Sequence, residues 1–377
     1  MRVLVGTLDA GGNTLPTVAI ARELARRGHD VSVLAHDSQH AAFAAAGLRP
    51  RPWSSPRAWS PRAEDPGLRT MLSWLPLASD PGYGRDLAAA VERSGAGLVL
   101  VDCMIPGALR RVRATGVRVA LLVHAYSGYW RDQWSRRSPM GWWLRCAGAH
   151  PANRRALPDL LVVTTLPGLD VIPNGGGPLP APTVQTGPVF ATAPGTAAPA
   201  ADDAPVLVSL STISYPGQRQ CLQRILDALD GLPVRAVATV GTSVEAHRLR
   251  PPSNVTMRSF ASHAEVMPGV RAVIGHGGHG TTMLALAHGL PVLMFPMSGH
   301  TDQPLVAASV AAAGAGIALP RTASVAGIRD AVRRLTGDPA LRERAARLGE
   351  RLRAVDGAGA AATALEALTP LAPRAWQ

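Results

Sequence analysis

The sequence predicts an α/β chain of two open, mostly parallel sheets, each with helices on both faces, facing one another across a deep cleft. Three observations lead there. Apolar, β-branched runs alternate with amphipathic helical stretches in both halves of the chain. Those runs are continuously hydrophobic, as strands covered on both faces are. A stretch of small residues and prolines, 188–205, separates one set of units from the other. The length, 377 residues, agrees with two domains at roughly 100 to 200 residues each.

The first unit opens with RVLVGT (2–7), breaks into the glycine loop DAGGNTLP, and continues as a helix. On a helical wheel Val18, Ile20, Ala21, Leu24 and Ala25 fill one half, and Arg22, Glu23, Arg26 and Arg27 the other. Pro16 suits the first turn and Gly28 the C-terminal cap, after which DVSVLA reads as the second strand. GLVLVD (97–102), a helix near 106–115 and VRVALLV (117–123) extend the sheet. Two loop-rich inserts, 50–83 and 125–155, hold seven of the eight tryptophans. Their clustering predicts a large apolar pocket, with Trp74, Tyr126, Trp130 and Trp134 as candidate ligand-binding rings. Beyond the linker, VLVSLST (206–212), a helix ending at Gly231, and the strands VRAVATV (234–240), VRAVIG (270–275) and LPVLMF (290–295) rebuild the same rhythm.

Composition excludes several classes. With 47% hydrophobic and 17% charged residues, the chain has the makeup of a compact protein and not of a disordered one or a coiled coil. The net charge of +12 would ordinarily suggest nucleic acid as a partner. All 38 basic residues are arginine, however, in a chain crowded with Ala, Gly and Pro, which reads as coding bias. The arginines occur as scattered pairs, Arg26-Arg27, Arg110-Arg111, Arg136-Arg137 and Arg154-Arg155, with no long basic run. Cys103, Cys146 and Cys221 are odd in number and widely spaced, so neither a disulfide framework nor a zinc site is expected. His276, His279, His288 and His300 have no cysteine among them to suggest a metal. The segment Arg329 to Arg353 reads as a solvated amphipathic helix. No signal peptide or membrane span is apparent, and a cytoplasmic protein is expected.

The densest signal lies at 270–304, where a strand runs into His276-Gly277-Gly278-His279-Gly280-Thr281 and then a helix. Glycines let a backbone approach a ligand closely. A helix starting at Thr281 would present free N–H groups and its positive dipole end to a phosphate. After LPVLMFP comes Ser298-Gly299-His300-Thr301-Asp302-Gln303-Pro304, a polar loop at the carboxyl end of the next strand, where ligands of open α/β sheets bind. An Asp-Gln pair there can accept from and donate to sugar hydroxyls.

The pattern H-G-G-x-G-T, an alanine-rich helix, G-x-P, a strand, and D-Q-P resembles the nucleotide-sugar signature of the family 1 glycosyltransferases, in particular the bacterial natural-product and macrolide enzymes. The first glycine loop, VSLST after the linker, the approach PPSNVTMRSFASHAEVMPG and the helical tail 339–368 extend the resemblance over most of the chain. It implies a GT-B fold of two Rossmann-like domains: an acceptor domain over 1–187, the linker, and a donor domain over 206–377 whose tail returns toward the first. The implied reaction is inverting and metal-independent, with a thymidine or uridine diphosphate sugar as co-substrate and no cofactor. Ser211, Thr212, His276, Gly278, Gly280 and Thr281 would hold the diphosphate, Asp302 and Gln303 the sugar, and Phe260 to His263 the base and ribose. The aromatic inserts imply a large, flat acceptor such as a polyketide or macrolide aglycone. The rivals are a GT-B enzyme of cell-wall assembly, a nucleotide-sugar epimerase, and a non-catalytic nucleotide-sugar-binding partner protein; oligomeric state stays open.

One position departs from the family. Its members carry a histidine after the first loop's glycine as the base that deprotonates the acceptor, and an aspartate from a later strand orients it. Here Asn13 stands in its place, and the later aspartate is Asp102. Three explanations remain: a carboxylate, Asp102 first or else Asp9, acts as base; His124, ending VRVALLV, substitutes; or the acceptor needs little help.

Overall fold

The computed structural model describes residues 1–59, 68–170, 179–195, 203–241 and 244–368. It holds two all-parallel sheets. The first contains β1 (Arg2–Gly6), β2 (Asp30–Ala35), β3 (Pro50–Pro52), β4 (Leu98–Asp102), β5 (Arg118–Val123), β6 (Leu160–Val163) and β7 (Thr183–Gln185), in the order β3-β2-β1-β4-β5-β6-β7. The second contains β8 (Val206–Ser209), β9 (Ala236–Thr239), β10 (Val255–Arg258), β11 (Ala272–Gly275), β12 (Val292–Met294) and β13 (Gly316–Ala318), in the order β10-β9-β8-β11-β12-β13. The central strands of both sheets lie within the runs expected from sequence except β6; β6 and the four-residue edge strand β10 lie outside those runs. The edge strands β3, β7 and β13, three residues each, are too short to carry a pattern.

The two orders are alike. Strand order reverses between β1 and β4 in the first sheet and between β8 and β11 in the second. At such a switch point the loops leaving the two strands diverge and open a crevice at the carboxyl edge. In this chain those loops are 7–13 and 103–108 in one sheet, and 210–217 and 276–278 in the other. They hold Asp9, Asn13, Ser211, Thr212, His276 and Gly278.

Apolar residues cover both faces of both sheets. On the first sheet Val3, Val5, Leu98 and Leu100 point to one face and Leu4, Val99, Val101 and Leu121 to the other. The first helix, Thr14–Arg26, covers the former face with Val18, Ile20, Ala21 and Leu24 buried. The last helix, Gly357–Glu366, packs beside it and adds Ala361, Ala362 and Leu365 to the same core. Arg27 and His29 fasten it through Glu366, each at 2.8 Å. The C-terminal tail therefore completes the first domain. Conversely, Tyr126, Leu166 and Leu169 of the first domain join a core of the second.

Three local expectations are corrected. The aromatic inserts carry helices as well as loops, with helices at Leu68–Ser79, Pro81–Ser94, Ser127–Gln133 and Pro139–Cys146. The arginine-rich tail is two helices, Val325–Gly337 and Pro339–Arg353: Asp338 caps the second, its Oδ1 accepting from the N–H of Ala340 at 2.9 Å, and Pro339 occupies the first turn. Each helix buries a leucine-rich stripe, including Ile328, Leu335, Leu348 and Leu352. The helix after the glycine loop starts at His279, two residues before Thr281. No helix among the described residues is long and apolar enough to cross a membrane.

Candidate active site

Asp102 ends β4 and His124 directly follows β5, its neighbour in the sheet. Parallel strands of matched length bring both side chains to the carboxyl edge. His124 Nε2 and Asp102 Oδ1 are 3.1 Å apart, and Met104 N–H donates to the same oxygen at 2.9 Å. Oδ2 accepts from Asn13 Nδ2 at 2.7 Å and from Thr7 Oγ1 at 3.1 Å. The carboxylate is thus closed in by four donors and has no solvent-exposed side-chain surface, whereas His124 keeps 11%. Burial would raise the Asp102 carboxyl, but the His124 charge and the hydrogen bonds from His124, Met104 and Asn13 hold it below the usual carboxylate range. Burial likewise works against a charged His124, yet Cys103 and Asp102 beside it outweigh that, and its pKa lies well above the ordinary imidazole value.

Asn13 helps to build this pair. Its Nδ2 also donates to the carbonyl of Leu8 at 2.7 Å, and its Oδ1 accepts from the N–H of Ala10 at 2.9 Å. It ties the glycine loop to Asp102. Asp9 is spent inside the same loop, its Oδ1 accepting from Gly11 N–H at 3.0 Å and its Oδ2 from Ser38 Oγ at 2.7 Å. Gly11 has φ near +85°, and a Cβ there would press on Ile213 at 3.1 Å, so the first domain's loop closes directly against the loop after β8.

Across the cleft, Gly278 caps the helix His279–Ala287, and Gly277 adopts φ near +77°. A Cβ at Gly278 would run into the His276 ring. The first-turn N–H groups of this helix face the loop and await an acceptor. Burial pushes His276 and His279 down to about 4, so both rings are neutral near pH 7. His276 Nδ1 and His279 Nε2 are buried with no hydrogen-bond partner among the described residues, which marks them as polar atoms poised for a ligand. Thr281 Oγ1 lies 3.5 Å from His263 Nδ1, while His263 Nε2 lies 2.9 Å from Ser209 Oγ. His263, at the end of the stretch from Phe260, therefore bridges β8 to the loop; Phe260 itself is 76% exposed. Ser211 is buried and its Oγ accepts from Ile213 N–H at 3.0 Å, whereas Thr212 is exposed at the cleft opposite Gly11.

Asp302 and Gln303 open the helix Gln303–Ala312. Gln303 is buried, and its Oε1 accepts from Met297 N–H at 2.7 Å, holding the polar loop on its strand. Asp302 Oδ2 accepts from the N–H of Tyr126 at 3.3 Å, and burial between the domains pushes this carboxyl up to about 6. Tyr126 also reaches Ser309 Oγ at 2.9 Å and meets the His279 ring edge-on at 5.6 Å. His279 in turn is held to the backbone of His124. The histidine-glycine loop, Asp302 and the Asp102–His124 pair thus form one connected constellation.

The aromatic expectation needs correcting. Tyr126, Trp130 and Trp134 are 1%, 4% and 4% exposed. Trp130 and Trp134 pack on one another at 5.2 Å within the first domain's core, and Tyr126 serves as the interdomain contact. They are packing residues with no free face. Trp74 is partly exposed and meets Trp59 edge-on at 4.5 Å. Sequence reading missed Thr7, Cys103 and Asp170, the last holding Ser127 N–H at 2.7 Å and Thr165 Oγ1 at 2.8 Å. Thr7 and Cys103 each lie within two residues of a candidate named from sequence, Asp9 and Asp102, and adjacency to those was the available signal; nothing around Asp170 in sequence distinguishes it.

Among the described residues one group, Asp102, Cys103 and His124, brings a carboxylate, a thiol and an imidazole within 4.8 Å of one another. The set does not fit a metal well. Four donors occupy the Asp102 oxygens, and burial raises the Cys103 thiol, keeping it protonated. The four histidines considered above form no such group.

Residues 223–368 match the family model described as erythromycin biosynthesis protein CIII-like, C-terminal domain. The chain is 27% identical to 4'-demethylrebeccamycin synthase of Lentzea aerocolonigenes, covering 97% of this chain and 99% of that one. Among solved structures it is similar to the glycotransferase of kitacinnamycin, with a TM-score of 0.76, 22% identity, and 98% and 99% of the two chains covered. It is also similar to the glycosyltransferase VinC in complex with dTDP, with a TM-score of 0.70, 20% identity, and 97% and 98% covered.

Proposed function

From the fold it shares with solved glycosyltransferases and its likeness to the bacterial natural-product enzymes of family 1, we propose a reaction for this chain. It moves a sugar, a deoxysugar by analogy with its relatives, from a nucleoside diphosphate to a large apolar aglycone of the polyketide or macrolide kind, with inversion and without a metal. Thymidine diphosphate is the favoured leaving group, since VinC is described in complex with dTDP. The observation that carries the reading is the convergence of the histidine-glycine loop and the Asp102–His124 pair on one crevice.

His124 takes the place of the missing loop histidine. With Nε2–H donated to Asp102, its Nδ1 carries the lone pair that accepts the aglycone's hydroxyl proton. The oxygen attacks the anomeric carbon as the bond to the diphosphate breaks. Charge gathers on the leaving diphosphate, and the first-turn N–H groups, Thr281 and the two neutral histidines are donors placed to receive it. That fixed set answers the need a metal meets elsewhere. Asp102 keeps the His124 tautomer and orientation, as a buried carboxylate does in a catalytic triad, and Asn13 keeps Asp102 in place. Asp302 fits the sugar hydroxyls from the opposite side.

The test is to supply a dTDP-sugar with a set of flat aglycones and follow release of dTDP. Aglycone-dependent release is expected. A non-catalytic binding partner would bind the nucleotide and release none.

A further inference from the structure

Two of the arginine pairs noted in the sequence, Arg110-Arg111 and Arg154-Arg155, are far apart in the chain and meet around one cavity of about 790 Å³ in the first domain. Arg85 and Arg113 complete the ring. They come from three places: Arg85 from the helix Pro81–Ser94, the middle three from Leu109–Ala114, and the last pair from the segment after Pro139–Cys146. The lining contains no aspartate or glutamate, and its floor is small, with Gly107, Ala114, Ala147, Gly148 and Ala149. It shares no residue with the cleft between the domains.

Six guanidinium groups facing one concavity repel one another, and a native surface relieves that with acids. Among the described residues only Arg113 has such relief, from Asp159 at 2.6 Å. Arg110, Arg111, Arg154 and Arg155 are exposed and make no ion pair among the described residues. Low-dielectric walls around one sign of charge focus the field and concentrate counter-ions. Trp143 stands beside the cavity, its Nε1–H donating to Oγ of the lining residue Ser79 at 2.9 Å, and is 36% exposed; its neighbour Trp142 is 62% exposed.

We propose that this cavity is a second anion site, separate from the donor loop, for a multiply charged phosphate group. Arginine's planar fork matches phosphate oxygens bidentately, and the volume suits a compact ligand. Such a group comes either from a soluble phosphorylated compound or from an anionic phospholipid headgroup, for which the exposed tryptophans would supply the apolar flank.

The probes are inorganic tripolyphosphate, titrated calorimetrically with dTDP held saturating to fill the donor loop, and vesicles of phosphatidylglycerol or phosphatidylcholine, used in sedimentation. The comparison protein carries Arg110→Gln, Arg111→Gln, Arg154→Gln and Arg155→Gln. These side chains are exposed, and an unchanged thermal midpoint checks the fold. Tripolyphosphate binding that weakens at least about tenfold in the variant assigns the site to a soluble phosphate; at 1.4 kcal/mol per decade that is the loss of about one charge-assisted bond. Sedimentation with phosphatidylglycerol alone, lost in the variant, assigns it to a headgroup. No binding of either probe, or equal binding by both proteins, overturns the proposal.

Discussion

Replacing His124 by alanine isolates the proposed base from the rest of the crevice. Asp102 loses one donor of four and its counter-charge, which costs stability, but Met104 N–H on Oδ1, and Asn13 and Thr7 on Oδ2, keep its carboxylate hydrogen-bonded; activity is therefore read on folded protein, below the variant's thermal midpoint. The contact between His279 and residue 124 runs through the backbone and survives. What is lost is the proton acceptor, a contribution of about 10² to 10⁴ in rate, or roughly 3 to 5 kcal/mol at 1.36 kcal/mol per decade. With donor and aglycone saturating, release of nucleoside diphosphate should fall by that factor while dTDP affinity stays the same. The pH profile supplies a second readout. Asp102 raises the His124 pKa, so kcat/KM should climb with pH as the imidazolium gives up its proton. Asp102→Asn removes the charge that holds this proton, so the rising limb should move to lower pH while the plateau drops. A His124→Ala enzyme within threefold of the wild-type rate, or a limb that Asp102→Asn leaves in place, would refute this assignment.

Other predictions follow from the same geometry. Burial pushes the folded Asp302 carboxyl up to about 6, above its ordinary value, so the folded state holds its proton longer and stability falls as pH rises between the two. Asp302→Asn should stabilise the fold at pH 8 by up to about 3 kcal/mol, read as a higher thermal midpoint, with the gain vanishing below pH 4, while kcat/KM for the sugar donor drops. Gly278→Ala should weaken dTDP at least about tenfold by displacing the His276 ring, with a near-native circular dichroism spectrum. Leu365→Ala, at a site with no exposed surface, should cost about 2 to 5 kcal/mol in denaturant unfolding, because the last helix completes the first domain's core.

The fold was legible where hydrophobicity is continuous. β1, β2, β4, β5, β8, β11 and β12 follow from runs such as GLVLVD and VRAVIG, and the two switch points then fix where loops 7–13 and 276–278 must open. The donor loop was legible because its glycines and histidines are contiguous. The pairing of Asp102 with His124 was half legible: each ends a strand, but only sheet order makes the strands neighbours. The tryptophans misled because composition does not give direction. Trp130 and Trp134 sit on a short helix, Ser127–Gln133, and its end, and that helix turns them inward onto the core while their chain neighbours reach the second domain. The arginine pairs were visible in the sequence, but their meeting around one cavity depends on three separate segments.

Whether the loop beginning at His276 holds a nucleoside diphosphate is decided by calorimetric titration with dTDP and UDP of the wild type and His276→Ala. The wild type should bind dTDP one to one, and the substitution, which removes a buried donor from the phosphate, should weaken that binding at least about tenfold. Absence of binding by either nucleotide, or equal affinity in the two proteins, would contradict it.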